Sequence, residues 1–128
     1  MKIAVIGGRN FNDYERAKRI LNLYPITMVV TGGAEGADAI GKKYSEEVLK
    51  KEAEIYPALW SDLNAIPCVI KERRDGSKYN ALAGHNRNTD IVNNCDMVVA
   101  FWDKKSRGTK DSLDKAHNLG KTTLIVYF

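Results

Sequence analysis

Three glycine-containing segments carry residue types that could bind an anionic ligand. They read Gly-Gly-Arg-Asn at residues 7–10, Thr-Gly-Gly-Ala-Glu-Gly-Ala-Asp at residues 31–38 and Ser-Arg-Gly-Thr at residues 106–109. Glycine lets the backbone approach a phosphate closely, and a helix that starts after the glycine offers unpaired N–H groups to it. Each segment alone is weak evidence, because glycine at the end of a strand often only turns the chain. Together the three segments predict a phosphate-binding site.

Charged side chains next to these segments extend the predicted site. Arg9, Arg87 and Arg107 offer planar guanidinium groups that can donate two parallel hydrogen bonds to a phosphate. Asp38 and Asp103 could accept hydrogen bonds from ribose hydroxyl groups or act as a general acid or base. Asp38 could equally cap or pack at the start of its helix. Both carboxylates are candidates for catalysis, and the sequence leaves their roles open.

The spacing of the glycines excludes two common nucleotide-binding motifs. Gly32, Gly33 and Gly36 lack the Gly-Lys-Ser/Thr ending of a P-loop and do not match the Gly-x-Gly-x-x-Gly of dinucleotide-binding domains. His85 and His117 have no companion at metal or triad spacing, and the two cysteines lie far apart. We therefore expect no metal site and no cofactor.

Composition and charge narrow the class of protein. The chain has 128 residues, of which 44% are hydrophobic and 28% charged, as in one ordinary globular domain. The net charge of +4 favours anionic ligands without singling out nucleic acid. The run from Lys2 to Ile6 is too short for the apolar region of a signal peptide, and no apolar stretch could span a bilayer. We expect a cytoplasmic protein without membrane contacts.

Short β-branched runs alternate with longer amphipathic segments, which is typical of βα units around a parallel sheet. The predicted strands are Ile3–Ile6, Thr27–Thr31, Met97–Trp102 and Thr123–Phe128, with Glu54–Tyr56 as a weaker fifth. The predicted helices begin at an Asn-x-x-Glu capping arrangement at residues 12–15, after Gly36, near Asn88 and near Thr109, and the last ends at Gly120. The fold class is α/β, a single Rossmann-like domain over residues 1–128 with a mostly parallel sheet of about five strands flanked by helices. Residues 60–84 interrupt this alternation of strand-like and helix-like segments. They predict a long loop or hairpin insertion.

Five stretches, taken together, resemble one known superfamily. They are Gly-Arg-Asn-Phe at residues 8–11 with Asp13, residues 31–38, Pro-Ala at residues 57–58 with Trp60, Ala-Gly at residues 83–84 with Arg87 and Asn88, and residues 100–103 with 106–109. This set is similar to the SLOG superfamily, named for the DNA-processing Smf proteins and the Lonely Guy proteins, and within it to the YspA-like group, formerly called DUF2493. The resemblance spans nearly the whole chain. It implies a Rossmann-like fold that binds nucleotides or nucleotide-derived ligands, as a sensor or as an enzyme.

The glycine segments and the resemblance together give the expected ligand-binding residues. These are Gly8, Arg9, Asn10, Gly32, Gly33, Ala34, Gly36, Asp38, Arg87, Asn88, Ser106, Arg107, Gly108 and Thr109. The Lonely Guy proteins hydrolyse the N-glycosidic bond of nucleoside monophosphates with a Pro-Gly-Gly-x-Gly-Thr-x-x-Glu motif, whose glutamate position corresponds to Ser112 here. Asp111 lies one residue earlier, a rotation of about 100° on a helix that is expected to aim it elsewhere.

Three functions remain open to the sequence. The first is the binding or sensing, in the cytosol, of a nucleotide or nucleotide-derived phosphorylated ligand that is not turned over. The second is hydrolysis of the N-glycosidic or phosphate linkage of a nucleotide with Asp38 or Asp103 as acid or base, although Ser112 argues against Lonely Guy chemistry. The third is single-stranded DNA binding of the Smf type, for which a net charge of +4 gives weaker support. Apolar helix faces are compatible with a homodimer.

Overall fold

The apolar runs predicted as strands form a parallel sheet. A computed structural model describes all 128 residues. Its strands, in chain order, are β1 (Lys2–Gly7), β2 (Met28–Thr31), β3 (Glu54–Ile55), β4 (Ile70–Glu72), β5 (Lys78–Asn80), β6 (Met97–Trp102) and β7 (Thr122–Tyr127). Five of them form one sheet in the order β3-β2-β1-β6-β7, and every neighbouring pair is parallel. The predicted α/β, Rossmann-like fold class is confirmed.

The helices cover both faces of this sheet. They are α1 (Tyr14–Leu21), α2 (Ala37–Tyr44, continued by a π-helical turn, Ser45–Leu49), α3 (Ala83–Asn93) and α4 (Arg107–Asn118). Successive residues of β1 point to opposite faces: Ile3 and Val5 join the core with α1 and α2, whereas Ala4 and Ile6 join the core with α3 and α4. Burial of each large aliphatic side chain contributes about 1.5–3 kcal/mol. None of the helices is both long and apolar enough to cross a lipid bilayer.

Three helix starts differ from the prediction. The first helix is capped by Asp13, whose Oδ1 accepts a hydrogen bond from the Arg16 N–H at 3.1 Å, and not by the Asn-x-x-Glu arrangement. The third begins at Ala83 rather than near Asn88, because the Asn80 Oδ1 accepts a hydrogen bond from the Leu82 N–H at 2.9 Å and so fixes its entry. The fourth begins at residue 107, ahead of the predicted start near residue 109. Helix propensity along the sequence does not locate the first residue of a helix when a side-chain contact fixes that residue.

Residues 60–84, predicted as a long loop or hairpin insertion, contain an antiparallel hairpin, and the last two of them belong to α3. Strands β4 and β5 pair with each other and not with the main sheet. The base of the hairpin is tied down by Asn80, whose N–H donates to the Trp60 carbonyl oxygen at 2.7 Å and whose Oδ1 accepts from the Val69 N–H at 3.2 Å. The hairpin is therefore anchored at its base and exposed along its length.

Candidate functional site

A cavity of about 650 Å³ opens at the carboxyl edge of the sheet. Because β1 lies between β2 and β6, the loops after these three strands meet at that edge. The predicted residues found in the cavity wall are Gly8, Arg9, Asn10, Ala34, Asp38, Arg87, Asn88, Asp103, Ser106, Arg107, Gly108 and Thr109. Wall residues outside that prediction are Ile6, Gly7, Trp60, Gly84, His85, Ile91, Asp111 and Ser112. The fold thus gathers the three arginines and both candidate carboxylates around one space.

Three of the predicted residues, Gly32, Gly33 and Gly36, lie outside the wall and serve the packing behind it. A Cβ atom on Gly36 would lie 2.3 Å from the Gly8 carbonyl oxygen, and the φ of Gly36 is +74°. A Cβ atom on Gly32 would lie 2.5 Å from the Arg87 Nη1 atom. The chain needs glycine at these positions because neighbouring groups come too close for a side chain.

Two N–H groups around the start of α2 are used in hydrogen bonds within the protein. The Ala37 N–H donates to the Gly8 carbonyl oxygen at 3.2 Å, and the Ala34 N–H donates to the Asp38 Oδ2 atom at 3.1 Å. The second glycine segment therefore holds the first in place, and its Ala34 and Ala37 N–H groups are not free for a phosphate.

The start of α4 is the open helix N-terminus of the cavity. The Ser106 Oγ atom caps the helix by accepting from the Thr109 N–H at 3.3 Å, which leaves the N–H groups of Arg107 and Gly108, in the same first turn, without a partner. A Cβ atom on Gly108 would meet nothing within 4 Å, so the space above it is open. The Asp103 Oδ1 atom fixes the preceding turn by accepting from the Lys105 and Ser106 N–H groups, each at 2.8 Å. An anion can reach this helix end directly.

Asp103 and Asp38 differ in the environment of their carboxyl groups. Hydrogen bonds from the backbone of Ser106 and Lys105 lower the pKa of Asp103, so this group stays ionised and holds the turn. Burial raises the pKa of Asp38, of which 6% is exposed, and the Ala34 hydrogen bond and the Arg87 charge offset only part of that effect. Of the two candidates, Asp38 is the better suited to donate a proton.

Arg87 connects the cavity to the sheet. Its Nη1 atom donates to the Gly32 carbonyl oxygen at 2.9 Å, and its charge acts on the nearby Asp38 carboxyl group. One edge of the guanidinium is therefore anchored to the loop after β2. Because Arg87 also lies in the cavity wall, its other nitrogen atoms can bind a ligand from a fixed position.

Asp111 lines the cavity, contrary to the expectation that its helical position aims it elsewhere. Its Oδ2 atom accepts from the Asn88 Nδ2 atom at 3.0 Å and from the Lys115 Nζ atom at 2.5 Å, and its Oδ1 atom lies 3.5 Å from the His85 Nδ1 atom. Burial raises the pKa of Asp111, but the hydrogen bonds from Lys115 and Asn88 outweigh burial and hold it below its ordinary value. Asp111 and Ser112 both line the cavity, and Asn88 of α3 holds the Asp111 carboxylate there. The Asp-x-x-x-Lys spacing was the available sequence signal.

The two carboxyl groups with opposite pKa shifts give opposite pH dependences of stability. Because folding raises the pKa of Asp38, wild type loses stability relative to Asp38→Asn as the pH rises from 3.8 through the folded-state value. The slope is at most about 1.4 kcal/mol per pH unit. Relative to Asp111→Asn, wild type instead loses stability as the pH falls from 3.8 through the lowered folded-state pKa.

Urea unfolding of the three proteins across the acid range measures both slopes. Each asparagine keeps the size of the side chain and removes its titration, so the difference from wild type isolates one group. Slopes of the same sign for the two variants would show that the contrast between Asp38 and Asp111 is wrong.

Comparisons with known proteins support the fold. No family model and no curated protein sequence matches the chain. A solved structure with a similar fold is that of DNA processing protein A from Helicobacter pylori, a protein described for its single-stranded DNA binding mode. The TM-score is 0.67 at 19% sequence identity, over 98% of this chain and 64% of that chain. This chain thus spans less than two thirds of that protein's length. At this identity the likeness shows a shared Rossmann-like fold alone, and membership of the SLOG superfamily and of its YspA-like group stays a prediction.

Proposed function

We propose that residues 1–128 form one SLOG-like domain of the YspA-like group that binds a nucleotide or nucleotide-derived phosphorylated ligand in the cytosol. The observation that carries the proposal is the open start of α4, where the uncovered Gly108 adjoins the Arg107 side chain. Phosphate groups bind at this end, through free N–H groups and guanidinium groups. The cavity volume of about 650 Å³ lies within the range of about 300–1,000 Å³ that ligand sites occupy.

The charges of the cavity wall favour a ligand that is more than a bare anion. Arg9, Arg87 and Arg107 face Asp38 and two further carboxylates, those of residues 103 and 111. A polyanion alone would be repelled by these carboxylates. A phosphorylated nucleoside can bind both the positive and the negative side chains of the wall. Its phosphate accepts hydrogen bonds from the arginines, and its sugar hydroxyl groups donate to the carboxylates.

Hydrolysis of the ligand is a second candidate function. It is favoured by the raised pKa of Asp38, which suits a proton donor, and by the fixed Asp111 carboxylate, which suits a group that stabilises positive charge. Ser112 occupies the position of the Lonely Guy glutamate and is buried. Turnover therefore needs a different carboxylate from the Lonely Guy one.

Single-stranded DNA binding is a third candidate, favoured by the fold likeness to a protein described for that binding mode. The mixed charges of the wall support it less well than a small ligand. Strong salt dependence of oligonucleotide binding would promote it above the first two.

A thermal-shift screen tests the proposed function. The panel contains nucleoside mono- and diphosphates, ADP-ribose, NAD and nucleotide sugars, and each mixture is then analysed for breakdown products. A ligand at about a hundred times its dissociation constant stabilises the protein by about 2.7 kcal/mol. Stabilisation with intact ligand supports a binding or sensing protein, and stabilisation with product supports a hydrolase. No stabilisation by any compound would refute a nucleotide site in this cavity.

A further inference from the structure

The hairpin of β4 and β5 presents two different faces. Its register pairs Lys71 with Tyr79 and Glu72 with Lys78. Since side chains alternate along a strand, Lys71 and Tyr79 share one face with Arg73, while Glu72 and Lys78 share the other. Residues 70–78 are all exposed. One face of the hairpin therefore combines an aromatic ring with two cations.

This face continues into the mouth of the cavity. The Arg73 guanidinium lies over the Tyr79 ring at 4.5 Å from its centroid, and the Tyr79 ring meets the Trp60 ring edge-on at a centroid distance of 6.4 Å. Trp60 is 44% exposed and also lines the cavity. We call Trp60, Tyr79, Arg73 and Lys71 the aromatic stripe, because they form one surface from the cavity mouth to the hairpin.

No acidic side chain forms an ion pair with the cations of the stripe. Glu72 points to the opposite face, where it pairs in register with Lys78. Asp75 is engaged at the tip of the hairpin, where its Oδ1 atom accepts from the Ser77 N–H at 2.9 Å and the Ser77 Oγ atom at 2.6 Å. The Arg73 Nη1 atom donates to the Ser77 Oγ atom at 3.4 Å, and neither Arg73 nor Lys71 forms an ion pair. Aromatic rings beside such cations suit single-stranded nucleic acid, whose bases stack while its phosphates bind the cations.

We propose that the aromatic stripe binds a single-stranded oligonucleotide whose terminal nucleotide occupies the cavity. Bases beyond the terminal one stack on Trp60 and Tyr79, and their phosphates contact Arg73 and Lys71. This inference rests on the proposed nucleotide site for the position of the terminal nucleotide, and it assigns the hairpin insertion a role in ligand choice.

The test measures the affinity of the full chain for 5′-phosphorylated oligothymidylates and oligouridylates, from mononucleotide to octamer, by competition against a fluorescent octamer. Affinity rises about tenfold or more with length, because each stacked base contributes to binding. Tyr79→Ala removes this gain and Tyr79→Phe keeps it, while mononucleotide affinity is unchanged in both. Because the two series differ in the sugar and in the 5-methyl group of the base, their comparison shows which of the two polymers binds more tightly.

The two hairpin faces provide a matched control. Lys71→Ala and Arg73→Ala each lower the slope of log affinity against log salt by about 0.7, whereas Lys78→Ala, on the opposite face, leaves the slope unchanged. An equal effect of Lys78→Ala, or a change in oligomeric state of Arg73→Ala without a change in affinity, would overturn the proposal.

The outcomes also separate this inference from the proposed function. Equal binding of mononucleotide and octamer overturns the stripe and leaves the nucleotide site standing. Stripe-dependent binding of the octamer without any mononucleotide binding supports the stripe, but it overturns both the placement of the terminal nucleotide in the cavity and the proposed function. Absence of binding by every probe overturns both. Thermal unfolding of each variant confirms that the hairpin substitutions leave the fold intact.

Discussion

Replacing Gly36 with alanine lowers the free energy of unfolding by about 3 kcal/mol, from backbone strain and overpacking together, and abolishes ligand binding. The φ of Gly36 is +74°, and an added Cβ atom would lie 2.3 Å from the Gly8 carbonyl oxygen and 2.5 Å from that of Arg9. Both neighbours are backbone atoms, so no side-chain rotation relieves the clash. Moving them breaks the hydrogen bond from Ala37 to Gly8 and displaces the first glycine segment. Urea unfolding and the thermal-shift screen measure the two effects.

Gly120→Ala is the matched control for this substitution. Gly120 also has a positive φ, of +69°, but an added Cβ atom there would meet nothing within 4 Å. Its substitution therefore costs only the backbone strain, about 1 kcal/mol. It also lies at the end of α4 remote from the cavity, so ligand binding is retained. Equal destabilisation by the two alanines would show that the contact between the glycine segments is not what requires Gly36.

Replacing Arg107 with alanine weakens binding of the best compound in the panel by about 10- to 150-fold, the value of one charge-assisted hydrogen bond. Arg107 is exposed and is the first residue of α4, where a cation is unfavourable for the helix dipole. Its side chain makes no hydrogen bond or ion pair within the protein. The thermal stability of the unliganded variant is therefore unchanged or slightly higher, while isothermal titration calorimetry shows the loss of affinity.

Lys110→Ala provides the comparison on the same helix. Lys110 is also an exposed cation in the first turns of α4, but its Nζ atom pairs with the Asp114 Oδ2 atom at 2.9 Å and it lies outside the cavity wall. Its removal leaves the affinity unchanged. If Arg107→Ala binds as tightly as wild type, the phosphate does not bind at the start of α4.

The fold could be predicted from the sequence because its strands and helices are marked by patterns within short segments. Strand β6 coincides with the predicted run Met97–Trp102. Strand β2 differs from its predicted run by one residue at one end, and β1 and β7 differ by one residue at each end. Alternating apolar runs and amphipathic segments leave few arrangements other than a parallel sheet with helices on both faces. The start of α3 was missed because Gly84 weakens the helical signal there, while the Asn80 side chain supplies the contact that starts the helix.

The candidate site was predictable in part, for a related reason. Residues at strand ends could be placed at one edge of the sheet from topology alone, which gave Arg9, Arg107 and their neighbours. Whether a backbone N–H at that edge is free depends on which loops touch. The contact between Ala37 and Gly8 uses one N–H group at the start of α2, and no local pattern encodes that contact.

The sequence by itself determined the parallel α/β architecture, the three glycine segments and the residue types available to bind an anion, because strand patterning and glycine spacing act over short distances. Only the tertiary structure decided that Gly32, Gly33 and Gly36 support the wall from behind, and that Asp111 belongs to it. It also decided that the hairpin joins Trp60 to Tyr79 at the cavity mouth. These features depend on packing between segments far apart in the chain, where distances of a few ångströms determine which groups remain free to bind.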